Sequence, residues 1–245
     1  MTQNVVLITR PEEDSRDLQY QLSALNIPSA VAPLLSIQPA RHDFEWHTLK
    51  NYSGVIITSK HTTMYLNPKL REEDIPVFVI GRETLKSLMY RGFHVFAAAS
   101  GDSVSLHGVL HDYLANQNKP EACRFVHFGG MHISTNFQKN ILESDLNVDH
   151  VSLYEAAATR ELSKENILYL QQDKVHTVLF FSSRSAVIFE QLCEKYDLTQ
   201  RLRHIQALCL APSVVKSLDE TKWKRIAASA EPNTAAIIAS LKDII

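Results

Sequence analysis

Val5-Val6-Leu7-Ile8-Thr9-Arg10-Pro11-Glu12-Glu13-Asp14 is the stretch that decides the fold class. A run of β-branched and apolar residues with no polar alternation forms a strand covered on both faces, the pattern of a parallel sheet flanked by helices. Pro11 suits a first helical position, where no backbone N–H is required, and the acidic residues after it complement the positive end of a helix dipole. The expected helix carries Leu18, Leu22 and Leu25 at helical spacing, and Asn26-Ile27-Pro28 turns the chain into a strand over residues 30–35. This is one βαβ unit.

The same alternation continues along the chain. Strands are expected at 54–58, 77–80, 95–97 and 125–128, with helices at 59–66, 84–90, 103–114 and 137–142. A third stretch places strands at 177–181, 205–210 and 225–227 and helices at 185–195, 213–218 and 234–241. Short apolar strands alternating with helices imply parallel sheets with helices on both faces, and so many strands divide more naturally into two sheets than one. Residues 34–40 and 151–159 are extended and interrupt the alternation, so they are read as two linker strands. The expected layout is a discontinuous α/β domain of residues 1–36 and 160–245, and a second α/β domain of residues 41–153. Each has a parallel five-stranded sheet, and a two-stranded β-ladder joins them. An internal echo agrees with this division: Ile56-Ile57-Thr58-Ser59-Lys60 matches Phe180-Phe181-Ser182-Ser183-Arg184, and Val79-Ile80-Gly81-Arg82-Glu83-Thr84 matches Cys209-Leu210-Ala211-Pro212-Ser213-Val214.

Composition narrows the function. A formal charge of -2 provides no basic field for nucleic acid or an anionic membrane, so neither partner is expected. Cys123, Cys193 and Cys209 are widely spaced and flanked by apolar residues, as core thiols of a cytoplasmic protein are. No leader or membrane span is expected. The chain lacks G-x-G-x-x-G after its first strand, a phosphate-binding G-x-x-x-x-G-K-[ST] loop and a G-x-S-x-G elbow, which removes support for nucleotide and hydrolase readings. His107 and His111 stand at i, i+4, but no third metal donor is placed by spacing, and they are read as surface histidines. No metal is expected.

Ligands of open parallel sheets bind beyond the carboxyl ends of the strands, where helix starts can hold anions. The residues there are Arg10, Thr58, Ser59, Gly81, Thr84, Ser103, Gly129, Gly130, Ser182, Ser183, Pro212 and Ser213. Most are small or hydroxylated, which suits a polyanion; alternatively the hydroxyls are simply helix N-caps. Capping alone does not explain Gly81 or the Gly129-Gly130 pair. His127 ends a strand and is read as packed there. Tyr154 stands where the second linker strand leaves the middle domain, so its phenol is expected to face the space between the domains.

In their order and spacing these motifs resemble the uroporphyrinogen-III synthase family over nearly the whole chain. The matching pieces are Thr9-Arg10-Pro11, Ile57-Thr58-Ser59, Ile80-Gly81-Arg82-Glu83-Thr84, Gly101-Asp102-Ser103, Leu153-Tyr154-Glu155, Phe181-Ser182-Ser183-Arg184-Ser185 and Glu231-Pro232-Asn233-Thr234. The resemblance implies two Rossmann-like or flavodoxin-like domains joined by a β-ladder, with a linear tetrapyrrole, hydroxymethylbilane, between them and no cofactor. It further implies Tyr154 as the group that assists departure of the substrate hydroxyl, with Thr84 and Ser182 orienting the substrate. The chain departs from the family where Ala211-Pro212-Ser213-Val214-Val215 replaces the more usual Gly-Pro-Thr-Thr-Ala, and where an arginine is missing near Gly129-Gly130-Met131-His132. Two other readings remain open at this stage: a two-domain protein that binds an anionic small molecule without reacting with it, and a family member that has lost activity. A monomer is expected, and transient contact with the enzyme of the preceding pathway step is compatible with this reading.

Overall fold

The computed structural model describes residues 4–118 and 120–244, so the domain limits expected at 1 and 245 lie outside the described residues. In chain order its elements are β1 (Val5–Ile8), α1 (Glu12–Ala24), β2 (Ser29–Val31), β3 (Leu35–Pro39), β4 (Gly54–Ile57), β5 (Val77–Ile80), α2 (Arg82–Tyr90), β6 (Ala97–Ala99) and α3 (Ser103–Ala115). These are followed by β7 (Phe125–Gly130), α4 (Thr135–Phe137), β8 (Val148–Ala158), α5 (Lys164–Gln171), β9 (Val175–Phe180), α6 (Ser183–Lys195), β10 (Gln206–Cys209), α7 (Pro212–Val215), β11 (Arg225–Ala228) and α8 (Thr234–Lys242). Two compact units result: one holds the described residues up to Ser36 and from Ala157 onward, the other Ile37–Ala156.

The first unit contains a five-stranded sheet in the order β11-β10-β9-β1-β2, parallel throughout. Its central strands are the apolar runs: Val6, Leu7 and Ile8 are buried, as are Val178, Leu179 and Phe180. Helices cover both faces. Leu7, Val178 and Phe180 pack with Phe189 and Trp223 in one cluster, while Val6, Ile8 and Leu179 pack with Leu18, Leu22 and Ile237 in another.

In the second unit the order is β3-β8-β7-β4-β5-β6, with β8-β7-β4-β5-β6 parallel. This sheet has six strands rather than the expected five. Both segments read as linkers are sheet strands: Ala40 N–H donates to the Leu153 carbonyl and Thr159 N–H to the Leu34 carbonyl, a pairing that runs in opposite directions. The second of them starts earlier than expected, because β8 first pairs with β7 from Val148.

Read from β9, the first unit runs β9, β10, β11, β1, β2, and its spatial order then matches that of β4, β5, β6, β7, β8 strand for strand. The sequence echo falls on topologically equivalent strands, since the end of β4 corresponds to the end of β9 and that of β5 to β10. In each sheet the point where strand order reverses lies between equivalent neighbours, β4 and β7 in one and β9 and β1 in the other. Ligands of such sheets bind at that reversal.

Several local expectations change. Pro11 caps α1 from outside instead of opening it. The expected helix 59–66 is a 3₁₀ segment, Lys60–Met64, in which Thr63 Oγ1 donates to the Lys60 carbonyl at 2.7 Å, a side-chain bond that competes with regular helix. The strand expected at 95–97 is Ala97–Ala99, because Phe93 and Val95 pack against the core from the connecting segment. Helix 213–218 is only the single turn α7, and α5 was not anticipated.

Candidate functional site

At the reversal between β4 and β7 the second unit bears an open cavity of about 380 Å³. Of the expected site residues, Thr58, Ser59, Ser103, Gly130 and Tyr154 line it, and the structure adds His127, Asp102, His132 and Asn136. Ser59 follows β4 and caps the 3₁₀ segment, accepting the His61 N–H at 3.2 Å. Its oxygen also accepts the Tyr154 hydroxyl at 3.0 Å. With both lone pairs engaged, the Ser59 proton is left to donate.

Tyr154 is held on several sides. Its ring stacks on Tyr65 at 6.3 Å between centroids and meets the edge of His61 at 5.8 Å. Tyr65 is tied in turn to the Ile37 carbonyl at 3.3 Å. The phenol lies across Gly130: a Cβ there would come within 2.7 Å of Tyr154 Cζ and 3.0 Å of its oxygen. A Cβ on Gly129 would come within 2.7 Å of the His127 ring. This pair is glycine because the protein's own rings cover the backbone, a reason sequence reasoning did not consider.

Behind the cavity wall runs a chain of polar contacts. His127 Nε2 meets Thr58 Oγ1 at 3.0 Å, His127 Nδ1 meets His150 Nδ1 at 2.9 Å, and His150 Nε2 meets Ser152 Oγ at 3.1 Å. His127 and His150 are directly paired residues of β7 and β8, which places their rings on the same face. Burial holds the His127 imidazole well below its ordinary value, with a smaller push from His150; burial likewise lowers His150. Both rings are therefore neutral near pH 7, and His127 positions Thr58 rather than offering a positive charge. His127 is packed, as expected, but it also faces the cavity.

The helix starts divide into two kinds. Asp102 caps α3 through the Ser105 N–H at 2.8 Å, and this bond is the main reason its carboxyl lies below the usual range. Ser182 caps α6 through the Ser185 N–H at 3.1 Å, and Ser134 caps α4 through Phe137 N–H. For these the capping role is realised. By contrast α2 and α7 begin at Gly81 and Ala211 with no side-chain cap. Gly81, with φ 87°, lines a separate cavity of about 370 Å³ with Arg82 and Gly101. Thr84 is buried in α2, and Gly129 lies behind His127; neither lines the first cavity.

In the first unit Arg10 is engaged locally. Its guanidinium lies 4.7 Å over the Phe181 ring, Nη1 donates to Thr234 Oγ1 at 3.4 Å, and Nη2 is 4.0 Å from Asp14. Ser183 Oγ donates to the Ser213 carbonyl at 3.2 Å, so the starts of α6 and α7 come together, with Pro212 opening the latter. Val214, where the resemblance leads to the expectation of a hydroxyl, is buried in the core.

The family model described as "Uroporphyrinogen-III synthase HemD" matches residues 16–239. Among solved structures, the uroporphyrinogen-III synthetase of Helicobacter pylori is similar at a TM-score of 0.65 and 14% identity, over 99% of this chain and 100% of that one. A mutant uroporphyrinogen III synthase of the extremely thermophilic bacterium Thermus thermophilus is similar at a TM-score of 0.53 and 13% identity, over 98% of each chain. At such identity these likenesses bear on the fold. No curated protein sequence matches.

Proposed function

Since the chain belongs to the uroporphyrinogen-III synthase family, we propose that it closes hydroxymethylbilane to uroporphyrinogen III, with inversion of ring D and loss of water, in tetrapyrrole and haem biosynthesis. The observation that carries this reading beyond family membership is the Tyr154–Ser59 hydrogen bond in a cavity at the sheet's reversal point.

In the proposed reaction the terminal C–O bond breaks, the oxygen leaves as water after taking a proton, and an azafulvene remains. The substituted carbon of ring D attacks it to form a spiro intermediate, which fragments and recloses with that ring inverted, and a proton is released. Hydroxide is a poor leaving group, so the protein's task is to supply the proton and hold the chain in register. Ser59 would pass its hydroxyl proton to the departing oxygen while accepting that of Tyr154, which makes the pair a relay. Thr58, held by His127, would orient the substrate.

Hydroxymethylbilane carries many carboxylates, and uncapped helix starts can bind them through backbone N–H groups without a basic surface. Gly81 and Ser213 are the best placed for this among the proposed substrate-binding residues, with Pro212, which has no N–H to offer, setting the turn that presents Ser213. Ser103, Gly129, Thr84, Arg10, Ser182 and Ser183 complete the set by shaping the strand ends. We propose further that the two units work as Rossmann-like domains joined by the β3–β8 ladder, that the reaction is of the hydro-lyase class, and that the protein acts in the cytoplasm as a monomer. Among the described residues no helix is long and apolar enough to cross a membrane.

Tyr154→Phe tests the relay. Removing a proton donor costs on the order of 10²–10⁴-fold in turnover with unfolding behaviour unchanged. Wild-type turnover in this variant would remove Tyr154 from the mechanism.

A further inference from the structure

His107, His111 and Asp145 lie outside the cavity and have no part in the proposed reaction. Each offers one donor atom, and the three atoms lie within 4.8 Å of one another. Asp145 Oδ1 is 3.8 Å from His107 Nε2 and 3.5 Å from His111 Nε2. Around a tetrahedral ion with bonds of about 2.1 Å, neighbouring donors stand about 3.4 Å apart, so small side-chain rotations close the observed triangle onto one ion. Spacing along the chain placed only the two histidines; the fold supplies the third donor.

The positions are also fixed from beneath. His107 follows Leu106, His111 follows Leu110, and Asp145 precedes Leu146; these three leucines are buried in one cluster with Ile141. Each ligand thus projects from a backbone position anchored by its neighbour. The donor atoms face outward, with His107 and His111 side chains 33% and 42% exposed, so an ion has access from solvent.

We propose that His107, His111 and Asp145 form a binding site for a zinc-class divalent cation, with water completing the coordination shell. Two imidazoles and one carboxylate are the donor set of three-ligand zinc sites, whereas magnesium and calcium prefer oxygen alone. The bound ion would clamp the middle of α3 to the turn that follows residues 138–142. The segment 138–142 that leads into this turn already reaches α3 through Asn140, whose Nδ2 donates to Ser103 Oγ at 2.9 Å, and Ser103 lines the cavity. The site is independent of the proposed reaction.

The test is titration of the full-length, chelator-stripped protein with zinc chloride by calorimetry, with magnesium chloride as control. One zinc per chain is expected at this site, with an increase in the unfolding midpoint, and no response to magnesium. The double variant His107→Ala/His111→Ala is expected to bind at least about tenfold more weakly and to lose the shift. Should that variant unfold without metal, Asp145→Asn, at an exposed position, replaces it and is expected to weaken binding in the same direction. Wild-type protein that binds no zinc, or variants that bind it as the wild type does, would overturn the assignment.

Discussion

Replacing Gly130 with alanine tests whether the phenol of Tyr154 must stand where it does. The added Cβ would fall 2.7 Å from Cζ, 2.9 Å from Cε2 and 3.0 Å from the oxygen of Tyr154. Carbon atoms in contact prefer about 3.5–4.0 Å, so the ring must retreat by about 1 Å. It cannot do so freely, because Tyr65 and His61 pack against it. Gly130 itself is the last residue of β7 and pairs with Tyr154 of β8, and the next residue, Met131, donates its N–H to the Tyr154 carbonyl at 2.8 Å, so a shift of this backbone would strain its bonds to the strand that carries Tyr154. Overpacking of this kind costs about 1–3 kcal/mol of stability. The larger effect falls on the reaction, since a displacement of about 1 Å stretches the 3.0 Å bond to Ser59 and misaligns the relay, at a cost on the order of 10²-fold in rate. The assay is turnover of hydroxymethylbilane under saturating conditions, beside a urea unfolding curve. A folded Gly130→Ala protein with wild-type turnover would refute the reasoning.

Other consequences follow from the same geometry. Ser59→Ala removes the acceptor of the Tyr154 proton and the donor to the substrate, so turnover should fall about as far as in Tyr154→Phe, and the double variant should fall little further, because the two act as one unit. Stability should decline as pH falls through about 6.5: the unfolded chain takes up protons there that folded His127 and His150 refuse, since both have depressed values. For His127 this amounts to about 1 kcal/mol between pH 6.5 and 5.5. Urea curves of His127→Gln should show a shallower decline, and an unaltered pH slope would contradict the assignment of a buried neutral imidazole.

The strands legible in the sequence are those whose environment is uniform. β1, β4 and β9 read as apolar runs because both of their faces are covered. β6 was displaced because Ala97–Ala99 carries no strong strand signal, while Phe93 and Val95 beside it are apolar for packing reasons. α5 escaped notice because its only buried positions are Asn166 and Leu170, which is too few for a helical stripe.

At the site, the hydroxyls were legible as a class but their two uses were not. Ser182 spends its oxygen on capping α6, whereas Ser59 caps its segment and still receives Tyr154. In the sequence the glycine pair reads as more than capping requires and as favouring a ligand, whereas the groups that lie against it are His127 and Tyr154 of the same chain. The His127–His150 contact depends on which strand lies beside β7, and no local pattern reveals that. A trace of it was nevertheless present: His150, Ser152 and Tyr154 stand at alternate positions, the period by which a strand sets side chains on one face.

The central claim is tested most directly by the porphyrin isomer formed when the purified protein is coupled to an enzyme that generates hydroxymethylbilane. Left alone, that substrate closes without inversion of ring D to the type I product. The account predicts that adding this protein shifts the product to isomer III, and that Tyr154→Phe slows the shift. A product that stays isomer I at every protein concentration would contradict the claim and leave a protein that binds without reacting.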